Sequence, residues 1–369
     1  MADVLFVTWD GGGNLPPALG LATELTARGH AARFLGHAQQ RWTIEAAGFA
    51  FAPYTHARSW SSTEPTSSLS GPARIFAMFT DPGPGVDLLE DLTRQPADLV
   101  VIDCMSLGAL AAAERAGLRR AVLAHTYYRY LTHVWSRGPI GAIARVRGQN
   151  PRQLWAGADL HLVASDRGLD PAQDQDLPAS VRHIGVVQEA PIPARGRADE
   201  PGADVLVSLS TTYFPGQDRA LQRILDALAP LPLHAIVTTG EAVDPGPLRV
   251  PDNVEVHRLL PHAQVMPFVR LVIGHGGHAT TMRALSHDLP LLVMPMHPML
   301  DQKMIGQSVQ RQGAARVLPK TASPERIRDT VQNLLAPGRH RSAAAVLGER
   351  LRAQNGAMNG TDQLVRMLP

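Results

Sequence analysis

Three stretches hold residue types that can bind or transform a ligand. The first is His275-Gly276-Gly277-His278-Ala279-Thr280-Thr281. It follows the apolar run 271–273, which reads as a buried strand. It precedes a helical pattern that opens at Thr280 and Thr281 and carries Met282, Ala284 and Leu285. Glycines permit a tight turn and close approach of a ligand to the backbone. A strand, a Gly-rich turn and a helix start together make an anion site, because free N–H groups and the helix dipole favour negative charge there. His275 and the Thr hydroxyls add donors suited to phosphate oxygens. The second stretch, Asp301-Gln302, follows another apolar run, 291–294, at the next helix start. In a parallel sheet both turns lie on the carboxyl edge, so a phosphate cradle and a polar pair are expected at one crevice. The plain alternative is an ordinary strand-to-helix turn, which is often Gly-rich.

The third stretch lies in the first half. Residues 99–102 read as a buried strand ending in Asp103, and 120–125 alternate into another strand. Asp103 at a strand's carboxyl end can take a proton or cap the following helix. Residues 126–135 then hold Tyr127, Tyr128, Tyr130 and Trp135, in a chain with five Tyr and five Trp. Such a cluster suits an apolar acceptor with a polar edge, or a locally packed core.

The elements that position these residues read as two α/β units. Residues 4–9 form the first strand, Asp10-Gly11-Gly12-Gly13-Asn14 the turn, and 15–28 a helix with Pro16 and Pro17 near its start, where proline is tolerated. Gly11-x-Gly13 invites a dinucleotide reading. Pro16 stands where the third glycine belongs, and no acidic residue follows at the required distance, so NAD and FAD are rejected. Residues 56–72, dense in Ser, Thr and Pro, read as a loop on the acceptor side. Asp174-Gln175-Asp176 sits in a Pro-bounded loop with no strand before it, which argues against a metal site. Residues 189–202, with three prolines, read as the linker. A second unit begins at 205–209, with Ser210-Thr211-Thr212 at its carboxyl edge, and 339–367 is helical in pattern.

Composition bounds the function classes. The 369 residues allow two domains, and 44% hydrophobic content supports a large core. The net charge of +2 comes without a basic run, so nucleic acid is not an expected partner. No apolar stretch approaches the roughly 20 residues needed to span a membrane, and the N-terminus does not read as a signal peptide. The single cysteine, Cys104, excludes an internal disulfide and fits a reducing cytoplasm.

The ordered run from His275 to Thr281, followed by Leu289-Pro290, Pro295 and Asp301-Gln302, resembles the donor signature of nucleotide-sugar glycosyltransferases of the GT-B fold. Within that group the chain is most similar to bacterial natural-product glycosyltransferases, which decorate macrolides, polyketides, glycopeptides and enediynes. The resemblance implies an α/β architecture of two facing Rossmann-like domains with parallel sheets. It implies domains over 1–190 for the acceptor and 204–345 for the nucleotide sugar, a linker over 191–203, and a C-terminal helix over 346–369 packed back on the N-terminal domain. It implies that His275, Gly276, Gly277, Thr280, Thr281, Ser210 and Thr211 hold the donor diphosphate. Asp301, Gln302 and His297 would meet the sugar, and Leu259, Leu260 and His262 the nucleobase. Gly13, Tyr127, Tyr128 and Trp135 would line the acceptor site. No metal and no cofactor is expected: a TDP- or UDP-sugar is co-substrate, and the helix end after His275 stabilises the leaving diphosphate. The expected partners are that donor and a hydrophobic small acceptor, with a homodimer left open.

The chain departs from the pattern at three places. Arg283 stands where an acidic residue is frequent, and Ile305 where Asn is frequent. Asn14 stands where relatives carry a histidine, in the run Gly13-Asn14-Leu15-Pro16-Pro17. In the family an Asp near position 103 commonly orients that histidine. An amide has no titratable proton near neutral pH, so Asn14 cannot be the base. Asp103 could take the proton, directly or through a water held by Asn14. A histidine such as His56, His125 or His278 could swing in. Or the acceptor is itself acidic enough to need no help. The reading taken is an inverting glycosyltransferase with Asp103 and Asn14 as catalytic pair. The alternatives are a non-catalytic sugar-nucleotide-binding accessory protein and a nucleotide-sugar epimerase of the same fold.

Overall fold

The computed structural model describes residues 1–64, 71–187 and 203–369, which divide into two compact units. Residues 1–61, 71–187 and 354–369 belong to the first, and 62–64 with 203–353 to the second. The linker expected over 191–203 lies outside the described residues except for Ala203.

In the first unit seven strands form a parallel sheet: β1 (Asp3–Val7), β2 (Ala31–Gly36), β3 (Ala50–Pro53), β4 (Leu99–Asp103), β5 (Arg120–Ala124), β6 (Leu160–Val163) and β7 (Val181–His183). Their order is β3-β2-β1-β4-β5-β6-β7. The central strands β1 and β4 are nearly continuous apolar runs, as strands covered by helices on both faces require. Their core gathers Val4, Phe6, Phe34, Leu99, Leu123 and Leu162. The sheet order reverses between β1 and β4, where Val7 pairs with Leu35 on one side and Ile102 on the other. Segments leaving such a switch point diverge and open a crevice. The residues just past β1 and β4, Asn14 and Asp103 among them, are therefore brought together.

The second unit repeats the plan with six parallel strands: β8 (Val205–Ser208), β9 (Ala235–Thr238), β10 (Val254–His257), β11 (Leu271–Gly274), β12 (Leu291–Val293) and β13 (Ala315–Val317). The order is β10-β9-β8-β11-β12-β13, so the switch point falls between β8 and β11, where Ser208 pairs with Gly274. Val207, Ile224, Leu225, Val237, Ile273 and Met294 lie in its core.

The helical pattern over 339–367 divides into two helices, Arg339–Arg352 in the second unit and Gly356–Val365 in the first. The helix expected from 346 thus changes units at 353–354. Asn355 makes the break, because its side chain accepts the Met358 N–H at 3.1 Å and starts a new helix. The last helix packs on helix Leu15–Ala27. Gly360 lets Leu21 and Ile184 approach its backbone, Asn359 donates to the Ile184 carbonyl at 2.9 Å, and Asp362 pairs with Arg28. Among the described residues no helix is long and apolar enough to cross a membrane.

Candidate active site

In the second unit β11 ends at Gly274 and the next helix runs over His278–Ser286, two residues earlier than the sequence reading placed its start. Gly277 is its N-cap, so Thr280 falls in the first turn and the buried Thr281 already donates back to the Gly277 carbonyl at 3.0 Å. Only the N–H groups ahead of Thr281 are left for an anion. Two glycines are required by packing. Gly276 has φ +89°, and a Cβ there would lie 2.6 Å from the Gln302 carbonyl and 2.7 Å from Val293. A Cβ on Gly277 would meet the His275 ring, with Cε1 at 2.7 Å. The imidazole thus lies over the glycine turn, and its buried Nδ1 has no partner among the described residues.

Burial, then the neighbouring His262, pushes His275 down to about 4; burial and Arg283 do the same to His262. Both rings are neutral at pH 7, and each can donate one N–H without carrying charge. Their folded values lie below the ordinary value near 6.5, so between about 6.5 and 4 the unfolded chain binds more protons. Stability is therefore expected to fall as pH falls through that window, by about 1.4 kcal/mol per pH unit for each fully shifted group. Thermal melts of wild type and His275→Gln between pH 7 and 4.5 test this. The variant should lose less on acidification, and equal slopes would remove His275 as a source.

The loop after β8 shares this edge. Ser210 Oγ accepts the Thr212 N–H at 2.9 Å, the Ser210 carbonyl accepts Gln217 Nε2 at 2.9 Å, and Thr211 is exposed. Gln302 is buried, with Oε1 accepting the N–H groups of Met296 (2.7 Å) and His297 (3.1 Å). Its carbonyl therefore braces the turn after β12, and only Nε2 remains for a ligand. Asp301 is the N-cap of helix Gln302–Arg311, and His297 Nδ1 accepts from Met299 N. Lys320, which the sequence reading did not single out, donates from Nζ to the carbonyls of Pro215 and Met296, both at 2.9 Å. It fixes an ammonium between the turns after β8 and β12, and after burial its charge contributes to keeping His297 low. Leu259 is 63% exposed and Leu260 half-buried. Arg283 lies near His262 and His287, and Ile305 is buried.

In the first unit Asp103 is 5% exposed and accepts four hydrogen bonds. Trp9 Nε1 (3.0 Å) and Met105 N (2.9 Å) donate to Oδ1. Asn14 Nδ2 and His125 Nδ1 reach Oδ2, both at 3.1 Å. The Asn14 amide also faces Thr8 Oγ1 and the Trp9 carbonyl, which fixes its orientation, and its buried Oδ1 has no partner among the described residues. Asn14 is thus N-cap by position but not by hydrogen bond. Trp9 lies over Gly11, where a Cβ would clash with its ring, and meets Phe79 edge-on at 5.1 Å. Burial pushes the His125 imidazole down, but the Asp103 carboxylate outweighs this, and the ring is held well above its ordinary value. Cys104 Sγ lies 3.9 Å from Nδ1 and is pushed up by burial. Asp103, Cys104 and His125 form a three-donor cluster, yet both carboxylate oxygens are occupied by N–H donors, a pattern that suits a hydrogen-bonded dyad better than a metal cage.

Of the three histidines named as mobile candidates, the structure brings only His125 to Asp103. His56 is tied to Asp87 at 3.0 Å, and His278 belongs to the second unit. The pairing was readable in part: β4 and β5 are neighbours, so residues just past both ends share an edge. The members of the aromatic cluster expected at the acceptor site differ in burial. Tyr127 and Trp135 are buried, and Trp135 packs edge-on against Phe79 at 5.5 Å and near Trp155 at 5.8 Å. The chain turns helical after Tyr127, and a spacing near four residues puts 127, 131 and 135 on the inner face. Tyr128 points elsewhere, into a cavity of about 350 Å³ lined also by Arg137, Arg152, Trp155 and His161. Gly13 is exposed beside Asn14.

Residues 222–367 match the Erythromycin biosynthesis protein CIII-like C-terminal domain. The chain is 26% identical over 420 aligned positions to 4'-demethylrebeccamycin synthase of Lentzea aerocolonigenes, covering 98% of each. The kitacinnamycin glycotransferase superposes with TM-score 0.82 at 24% identity, covering 100% of this chain and 99% of its own. The spinosyn rhamnosyltransferase, solved with thymidine diphosphate and with spinosyn aglycone, superposes with TM-scores of 0.73 and 0.74 at 18% and 19% identity, covering 99% of this chain and 100% of its own. At these identities the solved structures speak for the fold. They give the chain the GT-B fold, and the matched domain and the relative aligned along almost its whole length make it similar to glycosyltransferases of natural-product biosynthesis.

Proposed function

We propose that the chain transfers a sugar, with inversion, from a TDP- or UDP-sugar to a hydroxyl-type nucleophile of a hydrophobic natural-product acceptor, without a metal. The observation that carries this reading is the Gly276-Gly277 turn under the His275 ring at the head of helix His278–Ser286. A neutral imidazole donor, free N–H groups and the positive helix end suit a diphosphate whose charge grows as the sugar leaves. Thymidine diphosphate in the spinosyn rhamnosyltransferase supports the nucleotide class. Gln302 Nε2, Asp301 and His297 are assigned to the sugar, Leu259, Leu260 and His262 to the base, and Ser210 and Thr211 to the phosphates. Asp103 and Asn14 belong to proton removal at the acceptor, and Tyr128 and Gly13 are the acceptor-side residues that remain open to a ligand.

His275→Ala is expected to weaken binding of thymidine or uridine diphosphate by roughly 1.5–3 kcal/mol, the range for a hydrogen bond to a charged group. Titration calorimetry checks it, and unchanged affinity would remove His275 from the site. The reading as a whole is tested by release of nucleoside diphosphate from TDP- and UDP-sugars across an acceptor panel. Release that depends on acceptor supports transfer, whereas tight nucleotide binding with no release would mean a binding protein.

A further inference from the structure

We propose that His125, entering from the end of β5, is the proton acceptor of the reaction and that Asp103 positions it. This rests on the glycosyltransferase reading above. Asn14 stands where the resemblance implies a histidine, but Asp103 Oδ2 is approached from two elements at 3.1 Å: by Asn14 from the turn after β1 and by His125 from the end of β5. The carboxylate has kept its place and the imidazole comes from another strand. Nδ1 faces Asp103, which sets the tautomer, since the ring nitrogen against a carboxylate must carry the hydrogen. Nε2 is then the basic atom. It lies on the ring edge away from Asp103, and the side chain is 13% exposed. Trp9 and Asn14 hold the other faces of the carboxylate, so Asp103 cannot rotate away without breaking their hydrogen bonds.

In the step, the acceptor O–H bond breaks and its proton passes to His125 Nε2. The freed oxygen pair forms the new bond to the anomeric carbon. The bond from that carbon to the diphosphate breaks, and its electron pair leaves on the diphosphate oxygen. Imidazolium and carboxylate then form an ion pair, as the raised proton affinity of His125 anticipates. The titratable groups facing the ring are Asp103 and Cys104, both from β4 or its end; Trp9 from the β1 side is uncharged. Only unprotonated His125 can act, so the rate should rise with pH through an apparent value above the ordinary histidine range.

The test uses the full chain, wild type and His125→Gln, whose amide keeps a donor for Asp103. Release of diphosphate from TDP- and UDP-glucose is followed with 4-methylphenol, with 4-nitrophenol and with water alone. His125→Gln should lose about 10²–10⁴-fold with 4-methylphenol and water, the range for general base catalysis, with thymidine diphosphate affinity intact. It should lose far less with 4-nitrophenol, which ionises near neutral pH. In parallel, nitrogen NMR of histidine-labelled protein should show the His125 ring titrating above 6.5 as the Nδ1–H tautomer, and lower in Asp103→Asn. Turnover of His125→Gln near wild type with 4-methylphenol, or a ring that ignores Asp103→Asn, would overturn the proposal. A wild type that neither binds the diphosphates nor releases them would overturn the glycosyltransferase reading and the base role with it, and the ring titration would still report whether the pair exists.

Discussion

Asp103→Asn is expected to lower turnover by about 10²–10⁴-fold, the range for loss of general acid–base assistance, while nucleoside diphosphate affinity stays intact. The carboxylate accepts from Trp9, Met105, Asn14 and His125. An amide of the same shape accepts through one atom only and presents an NH₂ where another N–H already points. Either the Asn14 or His125 contact is lost, or Trp9 and Met105 lose theirs, and in each case the imidazole loses its negative partner. The ascending limb of the pH–rate profile should move down by removal of the charge that raises His125, although burial alone would then act. The diphosphate groups belong to the second unit, so titration calorimetry with thymidine diphosphate should match wild type. A variant that turns over near the wild-type rate would mean that the carboxylate serves the fold alone and that the acceptor ionises unaided.

Gly276→Ala should destabilise the second unit by roughly 2–4 kcal/mol and abolish tight diphosphate binding. Two penalties combine. A residue with a Cβ at φ +89° enters left-handed space at a cost of about 1–2 kcal/mol. The new methyl would also sit 2.6 Å from the Gln302 carbonyl and 2.7 Å from Val293, and overpacking of this kind costs about 1–3 kcal/mol. Because the obstacle is backbone oxygen, relief requires the turn to move away from helix Gln302–Arg311. That displaces the N–H groups ahead of Thr281 and the His275 ring above Gly277. Chemical denaturation and calorimetry of the purified variant measure both effects. Wild-type stability would show that the turn is looser than its contacts imply. A destabilised protein with full affinity would separate the turn's packing from phosphate binding.

The strands and turns that carry the candidate site were local in the sequence, and they were legible there for a physical reason. Apolar runs such as 271–273 bury on both faces wherever they occur, and glycines after them can only serve a turn that needs positive φ or close packing, as Gly276 does. A parallel plan with crossover helices follows from that alternation, and the carboxyl edge follows from the plan, so His275 and Asp103 could be placed at edges before any coordinates. What pattern could not decide was the direction in which side chains turn once there. Tyr127 and Trp135 looked like ligand-facing aromatics because their spacing is silent about which helical face meets the sheet; both are buried, and Trp135 packs against Phe79 and Trp155. Gln302 looked like a sugar contact, and the fold spends its carbonyl on the Met296 and His297 N–H groups. The helical pattern over 339–367 did not show the break at 353–355, because the break depends on a single capping side chain, Asn355, and on the surface that the last helix finds on helix Leu15–Ala27. The base was the sharpest case. The family resemblance implies a histidine where Asn14 stands, and only strand adjacency, which joins residues far apart in the chain through the β4–β5 ladder, sets His125 against the Asp103 carboxylate.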